Sequence, residues 1–343
     1  MIRPLYISPI GRGGVDFGIQ NITRSVRAAG LRPQLLRLPE IYNFAPFLIS
    51  RGLPANWWRG FDIVQGRSRV AFALRATGLP VVTTVHHLTS DPALQPYSSF
   101  AQRVFYRLFE SRYDAWSIAQ ADAVVCVSRF TQRQVEESYG RRDSTIIFDG
   151  IDTEVFAPAP GLTRQDDLPS HPGRIRLLFV GNRTRRKGFE LLPQIMDRLP
   201  DDYVLYYTGG FQGNETGPPH PRMVPIGSPD RAGLVAAYRS CDLLLFPSRL
   251  EGFGMAPAEA LACGRPVVTT DSSALPEVVD QGLNGFLVPP DDVQGYAERV
   301  RELGEDGTLR RRFGEHGREK IVRCFGYDQL GGGFKALYER LVK

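Results

Sequence analysis

Apolar runs of strand length alternate with helical stretches along the whole chain. In the first half, these runs predict strands at 3–8, 33–38, 61–66, 80–85, 122–128 and 144–149. In the second half, they predict strands at 175–181, 203–209, 223–227, 242–248, 266–270 and 285–290. Between the first two strands, one helical face carries Ile19, Ile22, Val26 and Ala29. Strands that are apolar throughout and alternate with helices predict parallel sheets covered on both faces.

A proline-rich stretch over 157–174 interrupts this alternation and predicts a domain boundary. The chain has 343 residues, which suits two domains of ordinary size. We therefore expect an α/β protein with two Rossmann-like, doubly wound parallel-sheet domains. The predicted parts are an N-terminal domain over 1–156, a linker over 157–174 and a C-terminal domain over 175–323. A last helix within 324–343 is expected to pack back on the N-terminal domain.

Composition places the chain among globular proteins. Hydrophobic residues make up 42% and charged residues 23%, with a formal net charge of +5. That charge forms no dense basic block, so we expect no nucleic-acid partner. No apolar run reaches the ~20 residues of a transmembrane helix, and the start is unlike a signal peptide, so a cytoplasmic protein is expected.

The metal-ligating residue types do not form a metal-site pattern. The four cysteines lie far apart without a CxxC pair, which favours reduced thiols over a zinc site. The histidines outside the pair at 86–87 are scattered. The sequence therefore predicts no bound metal.

The stretch FPSRLEGFGMAPAEALACGRPVVTTD, residues 246–271, places an acid, two glycines and a proline before a run of helix formers. Pro257 suits the first position of a helix, which would put Glu259 in its first turn. Gly252 and Gly254 let the backbone approach a ligand, and a helix N-terminus offers N–H donors to a phosphate. Two interpretations of Glu259 stay open: it complements the helix dipole, or it accepts hydrogen bonds from ribose or sugar hydroxyls.

A cluster of cations follows the predicted strand that ends at Gly181. The cluster consists of Arg183, Arg185, Arg186 and Lys187. Positive charge just beyond a strand end suits a diphosphate. The alternative is a solvated basic loop, and the spacing of a P-loop is absent.

The glycine-rich loop between the first strand and the first helix is a weaker candidate. Gly11, Gly13 and Gly14 resemble part of a dinucleotide fingerprint, but Asp16 stands where GxGxxG requires its third glycine. The loop therefore gives little support to NAD binding. Its backbone N–H groups remain candidates for facing a phosphate or a sugar.

His86 and His87 directly follow the predicted strand at 80–85. Ligands of doubly wound sheets bind beyond the carboxyl ends of the strands, so one of the two is a candidate catalytic or substrate-contacting residue. The alternative is a histidine that only satisfies backbone groups of its loop.

The segment 97–119 predicts a basic, aromatic-rich amphipathic helix. Its apolar face carries Val104, Phe105, Leu108 and Phe109, while Arg103, Arg107 and Arg112 lie off that face. Such a helix either packs on its sheet or rests on an anionic membrane. The first is the more common role of such a helix. Trp57 and Trp58, which we expect to be exposed, lie in the same half of the chain and keep the second interpretation open.

These stretches together resemble the retaining glycosyltransferase family 4, of the glycosyltransferase group 1 type, over nearly the whole chain. The most specific part is FPSRLEGFGMAPAEALACGRPVV, which is similar to the family's E-x7-E motif. Supporting stretches occur in the family's order: GGVDFGIQN, TVHH, VSRFTQRQV, DGIDTEVFAP, VGNRTRRKG, and LPEVV with GLNGFLVPP. The resemblance implies the GT-B fold, in which two Rossmann-like domains face a central cleft.

The resemblance also implies roles for the residues that match motif positions. Catalytic roles are implied for His86, Glu251 and Lys187. The implied donor site contains Gly14, Arg183, Arg186, Lys187, Ile226, Glu251, Gly252, Phe253, Gly254, Met255 and Glu259. Within that site, Lys187 would bind the diphosphate, Glu259 the ribose, and Ile226 would flank the base. The implied acceptor site contains Gly13, Asp16 and His87, near the regions 11–16 and 41–60.

The chain departs from the family pattern at three places. Asn182 stands where the family usually has Arg, five positions before the lysine, so Arg183 or Arg186 must supply the guanidinium group. The usual NG-D between the domains is replaced by DGID, beginning at Asp149. The HD that often follows the fourth strand is His-His here, at 86–87.

The resemblance implies metal-independent, retaining transfer of a sugar from a nucleotide sugar to a hydroxyl acceptor, such as a lipid-linked or growing glycan. A UDP-sugar is the first expectation for the donor and GDP-mannose the second. Peripheral association with the inner face of the membrane is a further expectation. The alternatives are a nucleotide-sugar 2-epimerase, a non-catalytic sugar-nucleotide-binding subunit and an NAD oxidoreductase. The extended E-x7-E context disfavours the epimerase. The joint presence of four candidate residues disfavours a non-catalytic subunit; they are His86, Lys187, Glu251 and Glu259. The broken GxGxxG fingerprint disfavours the oxidoreductase.

Overall fold

The structure, a computed structural model, describes residues 1–10, 14–53, 56–88, 91–160, 168–169, 171–209 and 219–343. The chain divides into two compact units. Unit 1 comprises Met1–Gly150 with Tyr327–Lys343, and unit 2 comprises Ile151–Gly326. The chain therefore leaves unit 1, builds unit 2 without interruption and then returns to unit 1.

The described part of unit 1 contains a parallel sheet of six strands. They are β1 (Pro4–Pro9), β2 (Gln34–Leu38), β3 (Ile63–Arg67), β4 (Val81–Val85), β5 (Ala123–Cys126) and β6 (Thr145–Ile146). Their spatial order is β2-β1-β3-β4-β5-β6. The helices are α1 (Gly14–Ala28), α2 (Ile49–Gly52), α3 (Phe100–Phe105), α4 (Ser111–Gln120) and α5 (Arg129–Tyr139). Short 3-10 helices cover Glu40–Asn43, Pro46–Leu48, Ala71–Thr77 and Pro92–Tyr97.

The described part of unit 2 contains a second parallel sheet of six strands. They are β7 (Ile175–Phe179), β8 (Tyr203–Tyr207), β9 (Met223–Pro225), β10 (Leu243–Phe246), β11 (Val267–Thr270) and β12 (Gly285–Val288). Their spatial order is β12-β11-β10-β7-β8-β9. The helices are α6 (Leu192–Met196), α7 (Arg231–Ser240), α8 (Met255–Ala262), α9 (Leu275–Val278), α10 (Val293–Glu305) and α11 (Gly307–Phe325). Two 3-10 helices cover Arg185–Lys187 and Phe189–Leu191, and a last helix, α12 (Tyr327–Leu341), belongs to unit 1.

The predicted fold class is confirmed. Each strand of the described residues lies at one of the predicted apolar runs, although most strands are shorter than their runs. The strands β1, β4 and β8 are buried at every residue. A strand covered on both faces needs apolar side chains at nearly every position, which is why continuous runs located these strands correctly.

The boundary between the units differs from the predicted one. It lies between Gly150 and Ile151, before the predicted domain end at 156. Phe156 and Ala159 are buried in unit 2, and the carbonyl of Phe156 accepts a hydrogen bond from Arg318 at 2.8 Å. The start of the predicted linker is therefore packed against unit 2. Residues 161–167 and 170 lie outside the described residues.

Helix α12 packs on unit 1 and closes its core. An added Cβ at Gly331 would lie 2.3 Å from the carbonyl oxygen of Ser25 on α1, so the two helices touch backbone to backbone. The hydroxyl of Tyr338 lies 2.8 Å from that of Tyr6 on β1 and also donates to Gln65 on β3. Phe334 is buried in the same apolar cluster as Tyr6.

The segment 97–119 differs from the single amphipathic helix that the sequence predicts. Ser99 and Gln102 form a capping box at the start of α3, and a π-helical turn over Tyr106–Glu110 separates α3 from α4. Helix α4 buries Tyr113 and Ile118, as expected of a helix that packs on its sheet. Four apolar side chains of α3 and the π turn are exposed instead: Phe100, Val104, Leu108 and Phe109.

These exposed side chains form one surface with the 3-10 region of residues 40–48. The ring of Phe44 lies 5.8 Å from that of Phe105, centroid to centroid. We name this surface the aromatic patch, and its members are Phe44, Phe47, Phe100, Val104, Leu108 and Phe109. Phe100 is 75% exposed, the highest value in the patch. The expectation for Trp57 and Trp58 was wrong, since both are half-buried and stack edge to face.

Candidate functional site

The predicted phosphate-binding cation and the first motif acid meet at the carboxyl edge of the unit 2 sheet. Strands β7 and β10 are parallel neighbours, so the segments that follow them emerge side by side. Lys187 follows β7 and Glu251 follows β10, and the Lys187 Nζ donates to Glu251 Oε1 at 2.5 Å. Both side chains are largely buried. The sequence separation of these residues gave no sign that they pair.

Further donors surround the Glu251 carboxylate. The hydroxyl of Ser248 donates to the same Oε1, and Arg186 Nη1 lies 3.8 Å from it. The backbone N–H of Glu251 donates to Ser273 Oγ at 2.9 Å, which fixes the loop that carries the acid. One oxygen atom thus faces two cations and a hydroxyl.

These contacts set the charges of the pair. Burial alone would raise the pKa of Glu251, but the charges of Lys187 and Arg186 outweigh it, and the pKa lies below its ordinary value. Burial lowers the pKa of Lys187, and the Glu251 carboxylate opposes that shift. An anionic ligand that took the place of Glu251 beside Lys187 would likewise favour the charged ammonium.

A glycine lets the two loops come this close. Gly188 has a φ of 68° and follows Lys187 directly. An added Cβ there would lie 2.1 Å from the carbonyl oxygen of Pro247, the residue after β10. Any other residue at 188 would be strained in its backbone and would push the Lys187 loop away from the Glu251 loop.

The helix after Glu251 begins earlier than predicted. Helix α8 starts at Met255, so Pro257 is not its first residue and Glu259 does not lie in its first turn. Gly254 precedes the helix with a φ of 105°, a conformation that favours glycine. A position beyond the first turn weakens the interpretation of Glu259 as a partner of the helix dipole, because that effect fades within one turn.

Glu259 is held by a tyrosine in the interior of unit 2. The hydroxyl of Tyr238 on α7 donates to Glu259 Oε2 at 2.9 Å. Burial raises the pKa of Glu259 to about 7, although the Tyr238 hydrogen bond and the charge of Arg231 oppose the shift. Near neutral pH, Glu259 therefore changes between a protonated form, which can donate a hydrogen bond, and an ionised form, which can only accept hydrogen bonds.

The remaining donor-site candidates lie at the same edge. Arg186 donates to the carbonyl of Leu250 at 2.6 Å and so stays beside Glu251, whereas Arg183 donates to the carbonyl of Gly209 after β8 at 3.0 Å. Of the two, Arg186 is the guanidinium group in contact distance of the Lys187 and Glu251 pair. Ile226 follows β9 and donates its N–H to the carbonyl of Tyr207 at 2.9 Å.

The segment between Glu251 and α8 carries the other residues of the motif. Gly252 is half-buried, and Met255 opens α8. Phe253 is buried and packs edge to face on Phe325, with ring centroids 5.3 Å apart. The side chain of Phe253 therefore anchors the loop, which leaves its backbone as the part available to a ligand.

Unit 1 places a second group of candidates at the carboxyl edge of its own sheet. His86 follows β4 and Asp149 follows β6, with His86 Nε2 3.9 Å from Asp149 Oδ1. Gly18 on α1 lies against them, since an added Cβ there would lie 3.2 Å from Nε2. His87 is exposed. The sequence singled out His86 but gave Asp149 no role.

The predicted acceptor residues are only partly covered by the structure. Gly13 lies outside the described residues. Gly14 is the first residue of α1, and Asp16 lies in the first turn of that helix.

Some site residues were not predicted. Ser248, Tyr238 and Ser273 contact the motif acids, and only Ser248 had a local signal, as the serine of FPSRLEG three positions before Glu251. Tyr238 and Ser273 reach the site through the fold.

No cluster of three or more His, Cys, Asp or Glu side chains within the described ranges could hold a metal ion. None of the four cysteines, all within the described ranges, forms a disulfide. Among the helices of the described residues, none combines the length and apolar character needed to cross a bilayer.

Two family models match the chain. The model "Glycosyltransferase Family 4" matches residues 11–155, and "Glycosyl transferases group 1" matches residues 223–320. The first covers most of unit 1, and the second covers the Glu251 and Glu259 segment of unit 2.

Curated relatives agree with these models. An uncharacterized glycosyltransferase of Methanocaldococcus jannaschii is 27% identical over 297 residues, which is 82% of this chain and 76% of that protein. A lipopolysaccharide core biosynthesis mannosyltransferase of Rhizobium meliloti is 28% identical over 70% of this chain and 72% of its own length.

Solved structures share the fold. Sucrose-phosphate synthase from Thermosynechococcus elongatus superposes with a TM-score of 0.82 at 19% identity, over 99% of both chains. Anabaena HepE, in complex with UDP and glucose, has a TM-score of 0.77 at 17% identity, over 99% of this chain and 100% of its own.

Proposed function

The chain belongs to glycosyltransferase family 4, with the GT-B fold, and on that premise we propose that it moves a hexose from a nucleotide diphosphate sugar to an acceptor hydroxyl group with retention of configuration. A UDP-sugar is the first candidate for the donor and GDP-mannose the second. The observation that carries the proposal is the contact of Lys187 with Glu251 at 2.5 Å, beyond two neighbouring strands of unit 2. In this proposal the buried cation binds the diphosphate and the carboxylate binds the sugar.

Lys187 and Arg186 supply positive charge to the leaving diphosphate in this proposal. Negative charge grows on the diphosphate as the bond to the sugar breaks, and fixed cations in a site sheltered from water stabilise it. In the structure these cations face Glu251. The donor's phosphates would replace the carboxylate beside Lys187, which frees Glu251 to accept hydrogen bonds from the sugar. The proposal gives no role to a metal ion.

The nucleoside lies along α8 and β9 in this assignment. The Glu259 carboxylate accepts hydrogen bonds from the ribose hydroxyls, and the region of Ile226 flanks the base. The backbone from Gly252 to Met255 contacts the sugar and phosphate groups, because Gly252 and Gly254 present no side chain there.

We also assign contacts with the sugar and with the acceptor to residues of unit 1. In this assignment His86 contacts the transferred sugar, and Gly14, the first residue of α1, contacts the donor phosphate. Gly13, Asp16 and His87 are proposed to contact the acceptor. The acceptor hydroxyl attacks the anomeric carbon on the face from which the diphosphate leaves, and the leaving phosphate accepts the hydroxyl proton. A lipid-linked or growing glycan is the proposed acceptor class.

We propose that the aromatic patch brings the enzyme to an anionic membrane surface. In the segments 40–53 and 100–112, which carry the patch, the exposed charged residues are four arginines, Arg51, Arg103, Arg107 and Arg112, and one acid, Glu40. Glu110 is buried and paired with Arg69 at 2.9 Å, so it does not offset the exposed arginines. Apolar side chains beside such an excess of positive charge suit an interface rich in acidic lipids.

The test is a thermal-shift panel with UDP, GDP, ADP and NAD. A ligand of the folded state at 100 times its dissociation constant stabilises it by about 2.7 kcal/mol, enough to raise the melting temperature by degrees. We expect one nucleoside diphosphate to stabilise the wild type and Lys187→Ala to lose that stabilisation.

Lys320→Ala is the matched control. Lys320 also lies in unit 2, pairs with an acid at 2.8 Å and is as buried as Lys187, but its partner is Asp280. It should keep the nucleotide effect. Stabilisation by NAD alone, or by no nucleotide, would contradict the proposal, and a nucleotide sugar that is epimerised without any acceptor would identify an epimerase.

A further inference from the structure

The pair of His86 and Asp149 lies at one edge of the unit 1 sheet and is closed in by its surroundings. The Asp149 side chain is 8% exposed and the His86 side chain 13%. His86 Nε2 is buried and has no hydrogen-bond partner among the described residues. Its nearest acidic oxygen is Asp149 Oδ1 at 3.9 Å, about 1 Å beyond an ordinary hydrogen bond.

The absence of a side chain at 18 leaves Nε2 facing the carboxyl group. An alanine Cβ at Gly18 would lie 3.2 Å from Nε2 and 4.0 Å from Asp149 Oδ1, so it would contact both groups and crowd Nε2. The backbone after Asp149 is held too, because Asn21 on α1 donates to the carbonyl of Gly150 at 3.0 Å. The Asn21 amide oxygen in turn accepts from Tyr327 at 2.7 Å.

We propose that Asp149 is a positioning residue for His86, which takes the hydrogen bond of Nε2 and so sets both the orientation and the protonation of the ring. The chain carries aspartate where the family motif usually has asparagine. An asparagine can hold a histidine ring, but it has no proton to gain or lose. The replacement therefore adds a titrating group to a position next to the sugar-contacting histidine.

The charges around the pair determine its proton count. Burial raises the pKa of Asp149 to about 7. Burial and the charge of Arg67, at the end of β3, lower the pKa of His86 to about 4. The pair thus holds one dissociable proton between about pH 4 and 7 and loses it above that range. Once Asp149 is ionised, His86 can donate to it only with a proton on Nε2.

The direct test is nitrogen NMR of the histidine rings between pH 5 and 9. The chain has five histidines, and His86→Gln assigns the His86 signals. We expect a step in the His86 signals near pH 7, with Nε2 protonated above it, and we expect Asp149→Asn to remove the step. Asp197→Asn is the matched control, since Asp197 faces His220 Nε2 at 3.3 Å in unit 2 and should alter only the His220 signals.

Gly18→Ala is a second variant that leaves both side chains in place. Its added methyl group would lie 3.2 Å from Nε2, closer than an ordinary contact, so it should shift the ring and alter the His86 signals. His86 signals that neither variant changes would overturn the proposal.

The catalytic consequence rests on the proposed transferase activity. Asp149→Asn should remove the inflection near pH 7 from the kcat profile, because the asparagine amide has no proton to gain or lose. The donor KM should change little. A chain without transferase activity whose His86 still titrates with Asp149 would contradict the proposed function and leave this inference standing.

Discussion

At the scale of single residues, the proposed contact of Glu259 with the ribose should make donor binding depend on pH. Its pKa of about 7 means that the carboxyl group is mostly protonated at pH 6 and mostly ionised at pH 8. Ribose hydroxyls donate best to the ionised form, so the affinity for the nucleoside diphosphate should rise by about tenfold over that range. Calorimetric titration at pH 6, 7 and 8 measures this effect.

The control for this prediction is Glu259→Gln, which keeps an acceptor oxygen but does not titrate. Ionisation of the diphosphate itself contributes equally to both proteins, so the difference between them isolates residue 259. Equal pH dependence of nucleotide affinity in the two proteins would contradict the proposed contact between Glu259 and the ribose.

At the scale of secondary-structure elements, the contact of α12 with α1 can be tested by two adjacent glycines. Gly331→Ala places a Cβ 2.3 Å from the Ser25 carbonyl oxygen and should destabilise the protein by about 1–3 kcal/mol, as overpacking does. Gly332 is exposed with no atom near its Cβ position, so Gly332→Ala should stabilise the helix by up to ~1 kcal/mol. Urea unfolding of both variants checks the pair, and equal effects would show that α12 is not held against α1 at Gly331.

The same scale shows what the sequence could predict. The strands were located well because a strand that is buried on both faces, such as β8, has a continuous run of apolar residues. Helix boundaries were less predictable, since Pro257 suits several positions of a first turn and only the φ of Gly254 shows where α8 begins. The motif acids were recognised by their spacing in the sequence. Tyr238 contacts Glu259, and Asp149 faces His86, but each pair is far apart in the sequence and is brought together only by the fold.

At the scale of the whole molecule, the aromatic patch predicts binding to lipid vesicles. The wild type should sediment with vesicles that contain phosphatidylglycerol, and less with neutral phosphatidylcholine or at high salt. Phe100→Asp with Leu108→Asp should abolish sedimentation without unfolding the protein, because both side chains are exposed. Arg103→Gln should weaken binding by about 1 kcal/mol, roughly fivefold.

Leu283→Asp is the control for general surface charge, since Leu283 is an exposed leucine of unit 2, away from the patch along the chain. It should leave vesicle binding unchanged. Sedimentation of the double variant at the wild-type level would exclude the patch as the contact surface.

The return of the chain to unit 1 after unit 2 has a consequence for biosynthesis. A ribosome delivers unit 2 as one continuous segment, Ile151–Gly326, before it delivers α12. Until then, Tyr6 and the apolar cluster around it lack Phe334 and Tyr338, and one face of the first sheet stays open. The half of the protein that is translated first is therefore the half that can finish folding last, and during translation its exposed apolar face is the part most in need of a chaperone.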